Sequence, residues 1–175
     1  LSLGELAKRA NPMRGAVKPG TEPGLESTQY FGPPSGATAN GVHAMIVEVD
    51  PDTFDLNILK YVVVHDCGTV INPMLVDGQI HGGVAHGIGN ALYEEVIHDE
   101  SGQILNGSYM DYYLPGAMEV PRMDVAHIET PTPLNPLGCK GAGEGGTIPA
   151  PTAVALAIED ALDDLKVKVD RIPVS

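Results

Sequence analysis

The chain has 175 residues, of which 43% are hydrophobic, and a formal net charge of −13. This length is enough for one domain with a real core, and the apolar fraction is typical of a soluble globular protein rather than a disordered one. A strongly acidic chain is poorly suited to nucleic acid or to anionic lipid, because both interactions need clustered Lys and Arg. We therefore expect neither a nucleic-acid partner nor a membrane partner.

The cysteine spacing and the absence of a visible signal peptide or membrane span predict a cytoplasmic protein. Cys67 and Cys139 lie far apart and form no CxxC pair, so we predict two free thiols, with one long-range disulfide as the alternative. No apolar run approaches the roughly 20 residues of a membrane span, and no signal peptide is visible. The chain begins with LSLGELAKRA instead of Met, which predicts a processed or excised part of a longer polypeptide.

The first 40 residues predict a helix followed by an extended arm. Residues 1–10 place Leu3, Leu6 and Ala7 on one helical face. Residues 11–40 are rich in Pro, Gly, Ser and Thr, and such an arm usually needs a partner surface. We therefore expect residues 1–40 to pack on a partner or on a missing part of the chain, and residues 41–175 to form a domain.

The next segments predict a hairpin and a long helix with many glycines. Residues 42–50 alternate apolar and polar side chains, and residues 56–68 form a second strand whose VVV run predicts burial on both faces. Residues 73–96 carry helical apolar spacing, yet they include Gly78, Gly82, Gly83, Gly87 and Gly89. Each glycine costs about 1 kcal/mol against Ala in a helix. The usual reason is close approach of another backbone or a ligand.

The remaining segments complete an α+β fold with a mixed sheet and packed helices. Residues 97–114 predict a hairpin with its turn at residues 99–102, and residues 123–130 predict a further strand. Residues 151–165 form the clearest amphipathic helix, with four acidic side chains opposite its apolar stripe. The tail, residues 167–174, is a candidate last strand.

The stretch GCKGAGEGGTIPAP, residues 138–151, places one carboxylate, Glu144, among five glycines. Gly141, Gly143 and Gly146 match G-x-G-x-x-G, but a dinucleotide site needs a strand just before them, and Glu144 would repel the pyrophosphate. A structural loop is one alternative. The other is a carboxylate presented at a pocket, where apolar walls make it more basic and hence a candidate general base.

The other polar groups support weaker hypotheses. Gln79 on the glycine-rich helix could hydrogen bond a ligand lying against the glycine face, whereas tight helix packing is the alternative. His81 and His86 are five residues apart, one more than a helical metal pair requires, so a metal site is weakly supported. His65 and Cys67 share one face of their strand, but a buried thiol is favoured over a nucleophile, and His43 is predicted to be a satisfied core histidine.

Three segments carry a family resemblance: residues 65–95, with a Q-x-x-G-G-x-x-x-G-x-G helix, residues 107–115, GSYMDYYLP, and residues 135–162, with a K-G-x-G-E run. Together they resemble the C-terminal part of the molybdenum-binding large subunit of molybdenum hydroxylases. That family includes xanthine dehydrogenase, aldehyde oxidase and aerobic carbon monoxide dehydrogenase. The resemblance implies that this chain forms part of the second molybdopterin-binding domain.

The resemblance also implies site residues. Glu144 matches the glutamate of the family's K-G-x-G-E run, which acts as general base beside the molybdenum. Gln79 matches the glutamine that hydrogen bonds the pterin, and Lys140, Gly141 and Gly143 are assigned to cofactor binding through the shape of the loop that carries the base. The implied cofactor is molybdopterin with molybdenum, often as the cytosine dinucleotide. Two [2Fe–2S] clusters and FAD are expected on partner chains or domains, because cluster cysteines and FAD motifs are absent here.

The resemblance implies one function, and two alternative functions stay open. The expected function is a molybdenum-dependent oxidoreductase acting on a small molecule, in which this chain is a fragment or split subunit and is inactive alone. The partners expected are the rest of the molybdenum-binding subunit and the iron–sulfur and FAD subunits, in a hetero-oligomer. A non-catalytic structural subunit and a nucleotide-binding module are the alternatives. The substrate and the electron acceptor stay open, since the family's substrate-selecting loops have no match in these residues.

Overall fold

A computed structural model describes residues 1–11, 13 and 17–174. The chain divides into two units, Leu1–Pro33 and Pro34–Ser175. The predicted extended arm includes Pro12 and residues 14–16, which lie outside the described residues.

The first unit contains a short helix, α1, at Leu3–Arg9. A capping box begins it: the Glu5 amide donates to the Ser2 hydroxyl at 3.3 Å, and the Ser2 amide donates to the Glu5 carboxylate at 2.6 Å. These bonds satisfy amide groups that the first turn leaves without helical partners. The predicted helix over residues 1–10 is therefore confirmed.

The second unit is built on a three-stranded mixed sheet in the order β1-β2-β3. Strand β1 is Asn40–Val49, β2 is Leu56–Asp66 and β3 is Met123–His127. The first two strands are antiparallel, with Asn40 opposite Asp66, which confirms the predicted hairpin. Strand β3 runs parallel to β2, with His65 opposite His127.

Two helices pack against one face of this sheet. Helix α2 is Pro73–Leu92 and helix α3 is Ala150–Ala161. Asn72 caps α2 by accepting a hydrogen bond from the Leu75 amide, and Pro73 suits the first turn because its missing amide is not needed there. The buried apolar side chains form a single core of Tyr61, Val63, Ile80, Val84, Ile88, Ala91, Ala150, Val154, Ile158 and Leu162.

Several sequence predictions need correction. Strand β2 is buried on one face only: Val63 is fully buried, whereas Val62 and Val64 are half-buried. The reason is that both helices cover the Val63 face, and exposed side chains such as Val42 mark the opposite face. The single helix predicted over residues 151–165 is divided into α3 and a 3-10 turn at Asp163–Leu165.

Two predicted strand regions form no strand among the described residues. The turn predicted at residues 99–102 is present, but the hairpin around it is reduced to one isolated bridge between His98 and Ile104. Backbone amides of this segment form local turns instead; for example, the Tyr112 amide donates to the Ser108 carbonyl at 2.8 Å. The tail is held by single bonds, such as the one from the Val174 amide to the Ala91 carbonyl. None of the described helices is long and apolar enough to cross a membrane.

Candidate active site

The loop that carries Glu144, residues 138–149, is tied to the end of β2 and to the segment before β1. The Lys140 amide donates to the Cys67 carbonyl at 2.7 Å, and the Gly141 amide donates to the Ala37 carbonyl at 2.9 Å. We call residues 138–149 the Glu144 loop. Its first half is therefore held by isolated bridges, Gly68 with Cys139 and Thr38 with Gly141, just beyond the paired ends of β1 and β2.

A buried ion pair lies beneath this loop. The Lys140 ammonium is 3.2 Å from the Asp66 carboxylate and 2.6 Å from the Thr130 hydroxyl, and the side chains of the ion pair are only 10% and 13% exposed. Hydrogen bonds from the Thr130 hydroxyl, then from the Gly68 amide, hold the pKa of Asp66 below its usual range, and Lys140 adds to this. The Lys140 side chain thus holds the Glu144 loop to Asp66 and Thr130.

The backbone on both sides of Glu144 is held by side chains from the sheet and from α2. The Gln79 amide donates to the Gly143 carbonyl at 2.7 Å, and the His43 ring lies 3.2 Å from the Gly145 carbonyl. Since a carbonyl only accepts, His43 Nε2 carries the proton, and its Nδ1 accepts from the Tyr61 hydroxyl at 2.9 Å. Both ring nitrogens of His43 are hydrogen bonded, as predicted, but the side chain is half-buried and is not part of the core.

Glycines let the Glu144 loop approach α2 and β2 closely. A Cβ added to Gly145 would lie 2.3 Å from Nε2 of His65, and one added to Gly146 would lie 2.5 Å from the Ile80 carbonyl oxygen. On α2, a Cβ at Gly83 would lie 2.9 Å from the Gly146 Cα. No side chain fits at these positions, so the predicted close backbone approach is confirmed here.

Other glycines face open space. A Cβ added to Gly78, Gly82 or Gly143 would meet nothing within 4 Å among the described residues. Gly141 has only the Ala37 carbonyl oxygen nearby, at 3.6 Å. These open glycines lie around Gln79 and beside Glu144, and a side chain added at any of them would not collide with its neighbours.

A cavity of about 380 Å³ lies beside Glu144. Its lining consists of one stretch before and into β1, one histidine of β2 and part of the Glu144 loop: Ala37, Thr38, Ala39, Asn40, Gly41, His65, Gly141, Gly143, Glu144, Gly145, Ile148 and Pro149. The Glu144 side chain itself is exposed, so the described residues do not provide the apolar enclosure that the sequence predicted for it. The end of the predicted arm also contributes a wall, which sequence reasoning missed.

His65 forms the buried floor of this cavity. It is 1% exposed, and neither ring nitrogen has a hydrogen-bond partner among the described residues. Burial lowers the pKa of His65, and the nearby His127 ring lowers that pKa further. His127 lies opposite His65 in the parallel register, with ring centroids 6.2 Å apart, and its Nε2 is 2.7 Å from the Asp77 carboxylate. The strand over residues 123–130 was predicted, but the sequence did not show that His127 lies beside His65 and pairs with Asp77.

The thiols and the helix histidines do not form a reactive site in the described part of the chain. Both cysteines are free, and burial raises the pKa of the Cys67 thiol, as expected for a buried structural thiol. No group of three or more His, Cys, Asp or Glu side chains among the described residues could hold a metal ion. His81 instead bonds the Asp77 carbonyl at 2.7 Å.

The glycine run does not have a dinucleotide-binding context. Among the described residues no strand leads directly into it, since only an isolated bridge between Gly68 and Cys139 precedes it. Helix α3 begins only at Ala150, after the run has ended. The Gly141-x-Gly143-x-x-Gly146 match therefore serves close packing on α2 and β2.

A mixed sheet packed against a glycine-rich helix is the fold found in the large subunits of molybdenum hydroxylases. The profile of the molybdopterin cofactor-binding domain matches residues 1–121, and the chain belongs to this family. The matched residues include Gln79 and α2 and end before the Glu144 loop. The structural relatives show the same α+β fold over nearly the whole chain.

Relatives of the chain are large subunits of hydroxylases and dehydrogenases. The chain is 45% identical over 143 residues to the nicotine 6-hydroxylase large subunit of Paenarthrobacter nicotinovorans and 37% identical to the carbon monoxide dehydrogenase large chain of Afipia carboxidovorans, with 82% of this chain and 18% of each relative covered. The crystal structure of quinoline 2-oxidoreductase from Pseudomonas putida 86 matches with a TM-score of 0.88 and 42% identity, over 99% of this chain and 22% of that one. The chain thus spans about a fifth of the length of these relatives.

Proposed function

We propose that this chain supplies the general base, Glu144, and one wall of the molybdopterin pocket in a molybdenum-dependent hydroxylase or dehydrogenase. The rest of the molybdenum-binding subunit would enclose the cofactor, and iron–sulfur and FAD subunits would complete a cytoplasmic hetero-oligomer. The single observation that carries the proposal is the clamping of Glu144: its backbone neighbours are fixed by Gln79 and His43, while its side chain stays exposed beside a cavity.

The residues present fit a molybdopterin. Gly78 and Gly82 leave the α2 surface beside Gln79 free of side chains, so a flat ring system can approach the helix backbone. Gln79 donates one proton to the Gly143 carbonyl, and its amide keeps an oxygen that can accept from a pterin N–H. Gly141 and Gly143 keep the loop backbone bare on the same side. We propose the cytosine dinucleotide form, as in the family resemblance.

The bound cofactor would supply the redox chemistry, accepting two electrons from the substrate. Glu144 would accept a proton from an O–H group presented in the cavity, with its carboxylate aimed by the fixed carbonyls of Gly143 and Gly145. A positioned general base contributes typically 10²- to 10⁴-fold to a rate. Lys140 is not needed at the reacting atoms in this arrangement, because Asp66 and Thr130 hold its ammonium beneath the loop.

Relatives suggest the first substrates to test. Two of the proteins named above act, by their names, on nicotine and quinoline, which are nitrogen-containing aromatic compounds. We therefore propose an electron-poor carbon of a nitrogen heteroaromatic ring as the site of reaction. Carbon monoxide is the alternative, since a carbon monoxide dehydrogenase chain is also a relative.

The decisive experiment replaces Glu144 by Gln in the assembled complex. We expect kcat to fall by about 10²- to 10⁴-fold, with unchanged molybdenum per complex, because only the proton acceptor is lost. Glu100→Gln, an exposed carboxylate on the turn near residue 100, is the matched control and should leave kcat unchanged. Activity retained in Glu144→Gln would instead identify the chain as a structural subunit.

The fragment role needs a separate measurement. We expect the chain, isolated without denaturant from its source, to carry partner chains, about one molybdenum and about four irons, as two [2Fe–2S] clusters require. Tight cofactor binding and turnover by the chain alone would contradict the split-subunit role. Binding of NAD or ATP to the chain alone would favour a nucleotide-binding module.

A further inference from the structure

We propose that the face of the three-stranded sheet opposite the helices is the surface on which the rest of the molybdenum-binding subunit packs. Its side chains alternate along each strand with those of the core. We call this surface the outer sheet face, and its apolar side chains are those of Val42, Ala44, Ile46, Val62, Val64 and Ala126. The inference rests on the proposed function, in which the rest of that subunit encloses the cofactor.

The pairing register makes these side chains one continuous patch. Val42 of β1 lies opposite Val64 of β2, which lies opposite Ala126 of β3. In the next row Ala44 lies opposite Val62. Side chains that lie opposite each other on one face of a sheet are near neighbours. The outer sheet face is therefore apolar across the full width of the sheet.

This patch is exposed, whereas the other face of the sheet is buried. Val42 is 68% exposed and Ile46 is 57% exposed, but Val63 on the opposite face is fully buried against side chains of both helices. The charged side chains beside the patch, Lys60 and Asp124, lie 3.2 Å apart and offset each other. In a chain with a net charge of −13, a continuous, charge-balanced apolar patch marks an interaction surface.

The parallel pairing of β2 and β3 also favours cover on both faces. Parallel strands are usually covered on both faces, and their sequences are nearly continuous runs of branched apolar residues. Residues 62–64 are such a run, which is why the sequence predicted burial on both faces. Among the described residues, the helices of the second unit satisfy that prediction on one face only. A partner that covers the outer sheet face accounts for the other half of the prediction.

The position of the outer sheet face indicates which partner covers it. Asn40 and Gly41 line the cavity beside Glu144, and Val42 is the next residue of β1. A polypeptide that closes this cavity over a cofactor therefore lies next to the Val42 end of the patch. Quinoline 2-oxidoreductase is matched over only 22% of its chain, so most of that polypeptide lies outside the match. The corresponding part of the large subunit is thus the partner we assign to this surface.

Two cysteine variants in the assembled complex test whether the patch is covered. Ala44→Cys and Ala126→Cys place small thiols at exposed strand positions, and Glu100→Cys, on an exposed turn, is the matched control. We expect a maleimide to label the two patch thiols at least about tenfold more slowly than the control, because an interface core excludes solvent. Peptide mass spectrometry measures labelling at each position. In guanidinium chloride all three positions should be labelled at similar rates, which attributes the difference to cover.

A photo-cross-linker at position 46 identifies the partner. Ile46 is at the margin of the patch and is 57% exposed, so p-benzoylphenylalanine fits there without entering the core. On irradiation of the assembled complex, we expect cross-linked peptides from the molybdenum-binding subunit outside residues 1–175. Cross-links to an iron–sulfur subunit, to an FAD subunit or to a second copy of this chain would overturn the assignment.

The combined outcomes separate this surface from the proposed function. If Ala44→Cys and Ala126→Cys are labelled as fast as Glu100→Cys, the patch is uncovered and the inference is wrong, whereas loss of activity in Glu144→Gln would still support the proposed function. If both thiols are protected and Ile46 is cross-linked to the rest of the large subunit, the surface stands. Activity retained by Glu144→Gln would then contradict only the general-base role.

Discussion

Gly82 and Gly83 are neighbours in α2, yet they face different surroundings. Gly83 is buried against the Glu144 loop, where an added Cβ would lie 2.9 Å from both the Gly146 Cα and the Thr147 amide nitrogen. Gly82 is exposed, and an added Cβ would meet nothing within 4 Å. The same residue type therefore serves two purposes in one helix: one face binds the loop that positions Glu144, and the other leaves space beside Gln79.

Of the changes that test this comparison of the two faces of α2, Gly83→Ala has the largest expected effect. The new methyl group would press on backbone atoms, which cannot rotate away, so the loop must shift. We expect a loss of about 1–3 kcal/mol in the free energy of unfolding, typical of overpacking, together with reduced kcat because Glu144 moves. Thermal unfolding of the assembled complex measures the first consequence, and steady-state kinetics normalised to molybdenum content measure the second.

The matched control is Gly82→Ala, one residue away. It should stabilise α2 by up to about 1 kcal/mol, because Ala is the better helix former and nothing obstructs its methyl group. Equal destabilisation by both substitutions would show that the two faces do not differ. Loss of molybdenum with an unchanged or raised melting temperature in Gly82→Ala would sharpen the comparison, since it would mark the open face as the cofactor's side.

An intermediate effect is expected from Gln79→Ala, which removes the hydrogen bond to the Gly143 carbonyl. A single hydrogen bond contributes about 0.5–1.5 kcal/mol, so we expect kcat/KM to fall by about two- to tenfold. Gln103→Ala removes a bond of the same kind, from an amide group to the Ile104 carbonyl at 3.2 Å, on an exposed turn. The control should leave kcat/KM unchanged, and an equal loss in both variants would refute a specific role for Gln79.

Local signals in the sequence were sufficient for most of the fold. The alternation in residues 42–50, the apolar stripe of residues 151–165 and the Asn72-Pro73 break each depend on near neighbours, and each predicts an element that the structure contains. The tail and the 97–114 segment differ because strands need partners. Single side-chain and backbone contacts hold both segments, and alternation alone does not show whether a neighbouring strand is available.

The site was predicted less completely, for a related reason. Glu144 and Gln79 could be found because their segments carry a recognisable motif and an unusual number of glycines. The pairing of His65 with His127, and of Lys140 with Asp66, depends on strand order and on parallel register, which short sequence windows do not encode. Asp77 likewise reaches His127 only because α2 packs beside β3.

The smallest expected effect is a dependence of stability on pH that arises from His43 and His65, the two histidines that contact the Glu144 loop. Burial lowers the pKa of both His43 and His65 below the ordinary value near 6.5. At pH values just below 6.5 the unfolded chain therefore binds protons at these histidines that the folded chain does not bind. The free energy of unfolding is unaffected by the two histidines above about pH 6.5 and decreases as the pH falls towards their lowered pKa values. Melting temperatures of the assembled complex between pH 8 and pH 5 should show this decline, and His43→Gln should make it shallower because one half-buried ring no longer titrates. His86→Gln, on an exposed position of α2, should keep the wild-type slope. A His43→Gln complex with the full wild-type slope would mean that the half-buried His43 ring is not what links proton binding to folding.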